Sequence, residues 1–298
     1  MRYDQRKSTL MILIADSGST KCDWTIIDAE GTTYGSFNTV GINPYFHDEK
    51  FVEDALLSVN GEAGLFDKIE YVFFYGAGAS SFELCAKVER GLNRVFPNAN
   101  VEVDHDLIGA AYATYDGRSG ITCILGTGSN SCYFDGVRVR EEVPSLAYIL
   151  GDEASGSYFG KILLREYFYR KLPMEINEAF EKEFGLTYSD IVDKVYKQSG
   201  ANVYLASFMK FVGKWSEHPH VINWVVKGLE EFIDIHVVCF PEHKNVPIHF
   251  VGSIGHYFRH CVEEAISNRG LHMGNVVRKP IEGLVNYHVT YKIPQLSK

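Results

Sequence analysis

Basic residues are in short supply in this sequence: 29 Lys and Arg stand against 38 Asp and Glu, a net charge of −9. A surface that tracks a phosphate backbone needs the opposite balance, so nucleic acid is not an expected partner; a small anion site made of backbone amides remains open. Long apolar runs are missing too. The longest near the start, Leu10 to Ala15, stops at Asp16 without a small-residue cleavage site, far short of the ~20 residues that span a bilayer. No membrane association is expected, and the cytoplasm is the expected compartment. The six cysteines (Cys22, Cys85, Cys123, Cys132, Cys239, Cys261) include no C-x-x-C pair, and most sit among apolar neighbours as buried thiols do, which suits a reducing environment. Proline is scarce at 9, and with 46% hydrophobic residues the composition is that of a globular chain, neither disordered nor fibrous.

What is present points to two domains. At about 150 residues per domain, 298 residues predict roughly two, with enough buried area to need no disulfide or metal. After a basic start read as a loose extension (residues 1–9), Leu10 to Ala15 reads as a buried strand; Cys22 to Asp28 and Thr32 to Phe37 follow through tight turns as an antiparallel meander. Helices are predicted over 48–59, 81–96 and 107–115, with strands at 71–75 and 101–103. The opening theme then returns: strand Ile121 to Leu125, a Gly/Ser/Thr turn, strand Ser131 to Phe134, the Asp135-Gly136 hairpin and strand Val137 to Arg140. A helical insertion from Ser157 to about Phe240, a strand at Ile248 to Val251 and a helix from His256 to about Asn268 complete the pattern. The predicted boundary puts residues 1–115 in the first domain and 116–298 in the second.

Chemistry concentrates in the two repeated turns, Asp16-Ser17-Gly18-Ser19-Thr20-Lys21 and Gly126-Thr127-Gly128-Ser129-Asn130. Glycine lets a backbone approach a ligand closely, and successive amides with Ser/Thr hydroxyls suit phosphate oxygens. Asp16, at a strand end, is placed to hold a hydrated Mg²⁺. Either turn alone is an ordinary hairpin; as the openings of two repeated halves they argue for nucleotide binding. No G-x-x-x-x-G-K-[ST] and no G-x-G-x-x-G opening a helix is present, so this is neither a P-loop nor a dinucleotide fold. The eleven histidines form no H-E-x-x-H, and the aromatics between Tyr158 and Phe232 recur at helical spacing, as those of a core or a dimer contact do.

Residues 12–21 (ILIADSGSTK) resemble the first phosphate motif of the sugar kinase/Hsp70/actin superfamily. Residues 125–131 (LGTGSNS) resemble the second, and residues 250–255 (FVGSIG) the adenosine motif. Within that superfamily the chain is similar to the N-acetylglucosamine kinases and the related BadF/BadG/BcrA/BcrD ATPases, in motif order from about Ile12 to Leu284. The resemblance implies an α/β fold of two ribonuclease-H-like (actin-like ATPase) domains with mixed sheets and an ATP/substrate cleft between them. It implies ATP and Mg²⁺ as cofactors, an amino sugar as partner and a homodimer. ATP would contact Ser17, Gly18, Ser19, Thr20, Lys21, Gly126, Thr127, Gly128, Ser129, Gly252 and Ser253, with Asp16 on the metal through water.

By the same resemblance Asp106, before the second phosphate motif, matches the catalytic aspartate that takes a proton from the attacking sugar hydroxyl. An N-cap for the helix at Leu107 is the alternative role of Asp106, and Asp104 is the neighbouring rival. Asn43, Gly76, Gly78, Asp106, Asp152 and Glu153 match sugar contacts; a capped helix start is the alternative for the Asp152-Glu153 segment. The pattern departs from the kinases at Gly76, Ala77 and Ala154. The implied reaction is phosphorylation of N-acetylglucosamine at its 6-hydroxyl, or of a peptidoglycan sugar such as N-acetylmuramic acid. A dehydratase-activating ATPase, which holds an iron–sulfur cluster between subunits, and a non-catalytic sensor are the alternatives.

Overall fold

The computed structural model describes residues 10–59 and 62–296; the start expected as a loose extension lies outside them. The chain divides into two compact units, one of residues up to Ala113 together with those from Pro280 on, the other of Thr114–Lys279.

The first unit holds a five-stranded sheet of β1 (Met11–Ser17), β2 (Lys21–Ile27), β3 (Thr33–Val40), β4 (Ile69–Gly76) and β5 (Asn100–His105), in spatial order β3-β2-β1-β4-β5. The two hairpin connections make β1, β2 and β3 antiparallel, whereas β4 and β5 run parallel to β1. Parallel strands need covering on both faces, and β1 is accordingly apolar on both. Leu13 and Ala15 pack with Val52 and Leu56 of α1 (Glu49–Leu57) and Val88 and Leu92 of α2 (Phe82–Val95). Ile12 and Ile14 pack on the other face with Leu284 of the helix Ile281–Tyr287. Asp48 and Ser81 cap α1 and α2 by accepting from Phe51 N at 2.9 Å and Leu84 N at 3.3 Å. The third helix, α3 (Asp106–Thr114), follows β5 directly.

The second unit repeats this wiring with β6 (Gly120–Leu125), β7 (Ser129–Phe134), β8 (Val139–Arg140), β9 (Ile248–Val251) and β10 (Met273–Val277), ordered β10-β9-β6-β7-β8. β6, β7 and β8 are antiparallel and β9 and β10 parallel to β6. The expected helical insertion lies between β8 and β9 and includes α4 (Ala147–Leu150), α5 (Gly156–Phe168), α6 (Met174–Phe184), α7 (Tyr188–Ile191), α8 (Ala201–Ser207), α9 (Met209–Val212) and α10 (Pro219–His236). Its aromatics are core: Phe180 meets Phe211 edge-on at 5.2 Å and Phe159 lies 5.5 Å from Trp224.

Two features depart from expectation. Residues from Pro280 on, assigned by sequence to the second domain, belong to the first unit, because Leu284 and Ile293 complete the apolar cover of Ile12, Ile14 and Phe73. His288 joins that cover, its Nδ1–H donating to Leu284 O at 2.8 Å and its Nε2 accepting from the Tyr75 hydroxyl at 3.1 Å. The helix expected from His256 is also two helices, α11 (Ser253–Tyr257) and α12 (Arg259–Asn268), parted at Phe258.

Candidate functional site

The first turn owes its shape to hairpin geometry. Gly18 N–H donates to Lys21 O at 3.0 Å, and the register sets Asp16 opposite Asp23 and Ser17 opposite Cys22. Gly18 and Thr20 are exposed, and among the described residues the hydroxyls of Ser19 and Thr20 make no hydrogen bond. Ser17 differs: fully buried, it accepts from Ile42 N at 2.9 Å and donates to Ile42 O at 3.2 Å. Its hydroxyl is spent on locking the loop after β3 onto the turn. Gly41 is required at that junction, since a Cβ there would lie 2.7 Å from Thr20 N. Lys21 Nζ rests 2.8 Å from Asp23 Oδ1, to which Asn38 also donates at 2.6 Å.

Asp16 is a partly buried carboxyl with other carboxylates near it. Burial first, then the charges of Asp106 and Asp23, push its carboxyl up to about 7. A divalent cation would relieve that repulsion, so these oxygens fit one. Among the described residues no three His, Cys, Asp or Glu side chains form a metal cage. Magnesium suits this, being held by one or two carboxylates plus water and phosphate oxygens. Asp23 escaped the sequence reading, although counting back across the three-residue turn would have put it beside Asp16.

Asp106 is the first residue of α3, where the helix N-terminus favours an anion. Oδ1 lies 3.1 Å from His105 Nδ1, and His105 Nδ1 is 3.3 Å from Leu107 N, so a histidine ring attends the start of this helix beside the aspartate. Asp104 sits one strand over from Tyr75 in register; burial pushes its carboxyl up, with Lys292 opposing. The loop expected to meet sugar is braced by its own hydrogen bonds. Asn43 Oδ1 accepts from Tyr45 N at 3.0 Å, and its amide lies against Gly78, whose φ of +83° leaves a Cβ only 2.9 Å from Asn43 Cγ. Gly76 ends β4 in register with Ser17 and His105.

In the second unit the turn between β6 and β7 is closed by Gly126 N–H donating to Gly128 O at 2.9 Å. The Asp152-Glu153 segment folds onto it. Asp152 Oδ1 accepts from Ser129 N at 3.2 Å, and a Cβ on Gly128 would lie 2.9 Å from Asp152 Oδ2. Ser129 Oγ donates to Glu153 O at 2.7 Å, while Gly156 N and Ser157 N donate to Gly126 O and Thr127 O at 2.8 and 3.1 Å. Asp152 and Ala154 hold left-handed φ values of 59° and 57°, strain that these bonds sustain. Burial pushes the Asp152 carboxyl up, with the Ser129 amide opposing. The helix start is capped as well, by Ser155 Oγ accepting from Tyr158 N at 3.1 Å. Glu153 meets His236 Nε2 at 3.2 Å, a partner 83 residues away that no local pattern could announce.

The third motif closes over the second turn. Gly252, at φ +118°, donates to Val277 O at 2.9 Å, and a Cβ on it would lie 2.9 Å from Leu125 C, so only glycine fits. Ser253 is exposed at the start of α11. Among the described residues no helix is long and apolar enough to cross a membrane.

No family model matches the chain, and no curated protein matches it by sequence. Solved structures do. A candidate N-acetylglucosamine kinase of Porphyromonas gingivalis is 38% identical over 94% of this chain and 99% of its own, with a TM-score of 0.88. A candidate N-acetylglucosamine kinase of Chromobacterium violaceum shares the fold at 15% identity and TM-score 0.69, over 94% of this chain and 99% of its own. So does a ROK-family glucokinase of Streptomyces griseus, in complex with glucose and AMPPNP, at 16% identity and TM-score 0.53 over 93% of this chain and 97% of its own.

Proposed function

Because the chain belongs to the family of that Porphyromonas gingivalis protein, the N-acetylglucosamine kinase-like sugar kinases of the actin-like ATPase superfamily, we propose that it phosphorylates an N-acetylated amino sugar with ATP. The acceptor in this reading is N-acetylglucosamine, at its 6-hydroxyl, or a peptidoglycan sugar such as N-acetylmuramic acid. The observation that carries the reading is the gathering of Asp16, Asp23 and Asp106: burial first, then the charges of Asp106 and Asp23, push the Asp16 carboxyl up to about 7. A protein that merely bound sugar would have no use for that accumulation of charge.

Asp106, at the start of α3, accepts the proton of the sugar hydroxyl as its oxygen attacks the terminal phosphoryl group and ADP leaves. Ser19 and Thr20, with the turn amides, hold phosphate oxygens, and Gly126, Thr127 and Gly128 have the same role. Magnesium, when bound, neutralises charge on the phosphates, and Asp16 orients its water shell. Gly252 and Ser253 receive the nucleoside. Asn43, Gly76, Gly78, Asp152 and Glu153 form the sugar's surroundings, with Asp152 acting chiefly through Ser129. A homodimer in the cytoplasm belongs to the same proposal.

The decisive experiment incubates the purified protein with ATP, Mg²⁺ and a panel of amino sugars while ADP is followed. Sugar-dependent release, with the product's phosphate located by NMR, is the expected outcome. ADP release that no sugar stimulates would overturn the assignment.

A further inference from the structure

One buried histidine lies outside every motif yet closes a ring of hydrogen bonds around the second turn. Ser129 Oγ donates to Glu153 O at 2.7 Å. The Glu153 carboxylate meets His236 Nε2 at 3.2 Å, and Ser131 Oγ donates to His236 O at 2.5 Å. Ser129 and Ser131 are two residues apart on β7 and therefore share a face. His236 is 4% exposed, ends α10 and stacks on Phe232 with ring centroids 4.9 Å apart. A carboxylate only accepts, so Nε2 carries the proton. Nδ1 is buried and has no hydrogen-bond partner among the described residues.

We infer that His236 is a positioning residue: it holds the Glu153 carboxylate in place and couples it to the second phosphate turn through Ser129 and Ser131. The ring has one purely side-chain joint, the His236–Glu153 contact, and there the bond involves a charge, which makes it among the stronger kinds. Without it Glu153 retains, among the described residues, only its backbone hydrogen bond from Ser129, and the left-handed residues on either side of it lose a restraint. The consequence for substrate affinity rests on reading Glu153 as a sugar contact; the mechanical coupling does not.

The asymmetry of the imidazole supplies the test. Glutamine places an amide N–H near the position of Nε2, asparagine near that of Nδ1, so H236Q keeps the joint and H236N breaks it. Hydrogen exchange of residues 126–131 and 151–155, followed by mass spectrometry, should be faster in H236N than in the wild type, with H236Q close to the latter. In the kinase assay with N-acetylglucosamine and ATP, H236N should raise the sugar KM about tenfold with a much smaller change in kcat, and H236Q should restore it. Equal exchange in all three proteins overturns the inference, as does a sugar KM that H236N leaves unmoved in an active enzyme. Altered exchange in H236N alone, in a protein that phosphorylates no sugar, upholds the coupling and removes the kinase reading instead.

Discussion

Ser17 and Ile42 are joined by two hydrogen bonds through one hydroxyl, Ile42 N–H donating to Ser17 Oγ at 2.9 Å and Ser17 Oγ–H donating to Ile42 O at 3.2 Å. The first phosphate turn and the loop bearing Asn43 are thereby one rigid piece, within which Gly41 allows the two backbones to touch. Ser17→Ala strands a buried amide and carbonyl and should cost about 1–3 kcal/mol, read as a lowered urea midpoint. The sugar KM should rise with it. An unchanged midpoint would show that the loop is held by other means.

Asp106→Asn keeps the size and the helix start while removing the proton acceptor. Turnover should fall by roughly 10² to 10⁴, with nucleotide binding measured by calorimetry nearly unaltered. Retained turnover would pass the role to another carboxylate, Asp104 being the one to substitute next.

Gly128 faces Asp152 so closely that a methyl group would lie 2.9 Å from Oδ2. Gly128→Ala should therefore displace Asp152 from the Ser129 amide and raise the KM for ATP at least several-fold, as seen in initial-rate kinetics. Asp152→Asn, which keeps an acceptor for that amide, should be milder.

Burial, with the nearby charge of Lys292 adding to it, lowers the His288 imidazole to about 4, while the bond to Leu284 O opposes. The unfolded chain binds the proton more readily, near the ordinary 6.5. The neutral histidine therefore supports the fold fully above that value, and its support drains away as pH falls toward 4. Urea midpoints should drop over this window in the wild type and drop less in His288→Asn, compared at each pH. Equal slopes would mean that His288 takes up no proton on unfolding.

Much of this was legible in the sequence because it is local. An apolar run, a Gly/Ser/Thr turn and an acidic-Gly hairpin are near-neighbour patterns, and each placed its strand within a few residues. The repeat of that pattern also announced two halves that open alike, though not the strand Met273–Val277 that completes the second sheet. The resemblance gathered Asp16, Asp106 and the two turns into one hypothesis. Asp23 was within reach too, since hairpin register follows from turn length.

What stayed hidden depends on contacts between residues distant in the chain. Nothing near Pro280 indicates that the last helices return to the first unit; that is decided by the apolar face of β1 and β4, which needs Leu284 and Ile293 as cover. Nothing near Glu153 indicates His236, and nothing near Ser17 indicates that its hydroxyl faces Ile42 rather than a ligand. Sequence alone determined which segments form the sheets and which residue types stand at the turns, because backbone propensity and apolar periodicity act over a few residues. Tertiary structure decided which of those polar groups are already satisfied and which face solvent, because burial and hydrogen-bond pairing are properties of the packed chain.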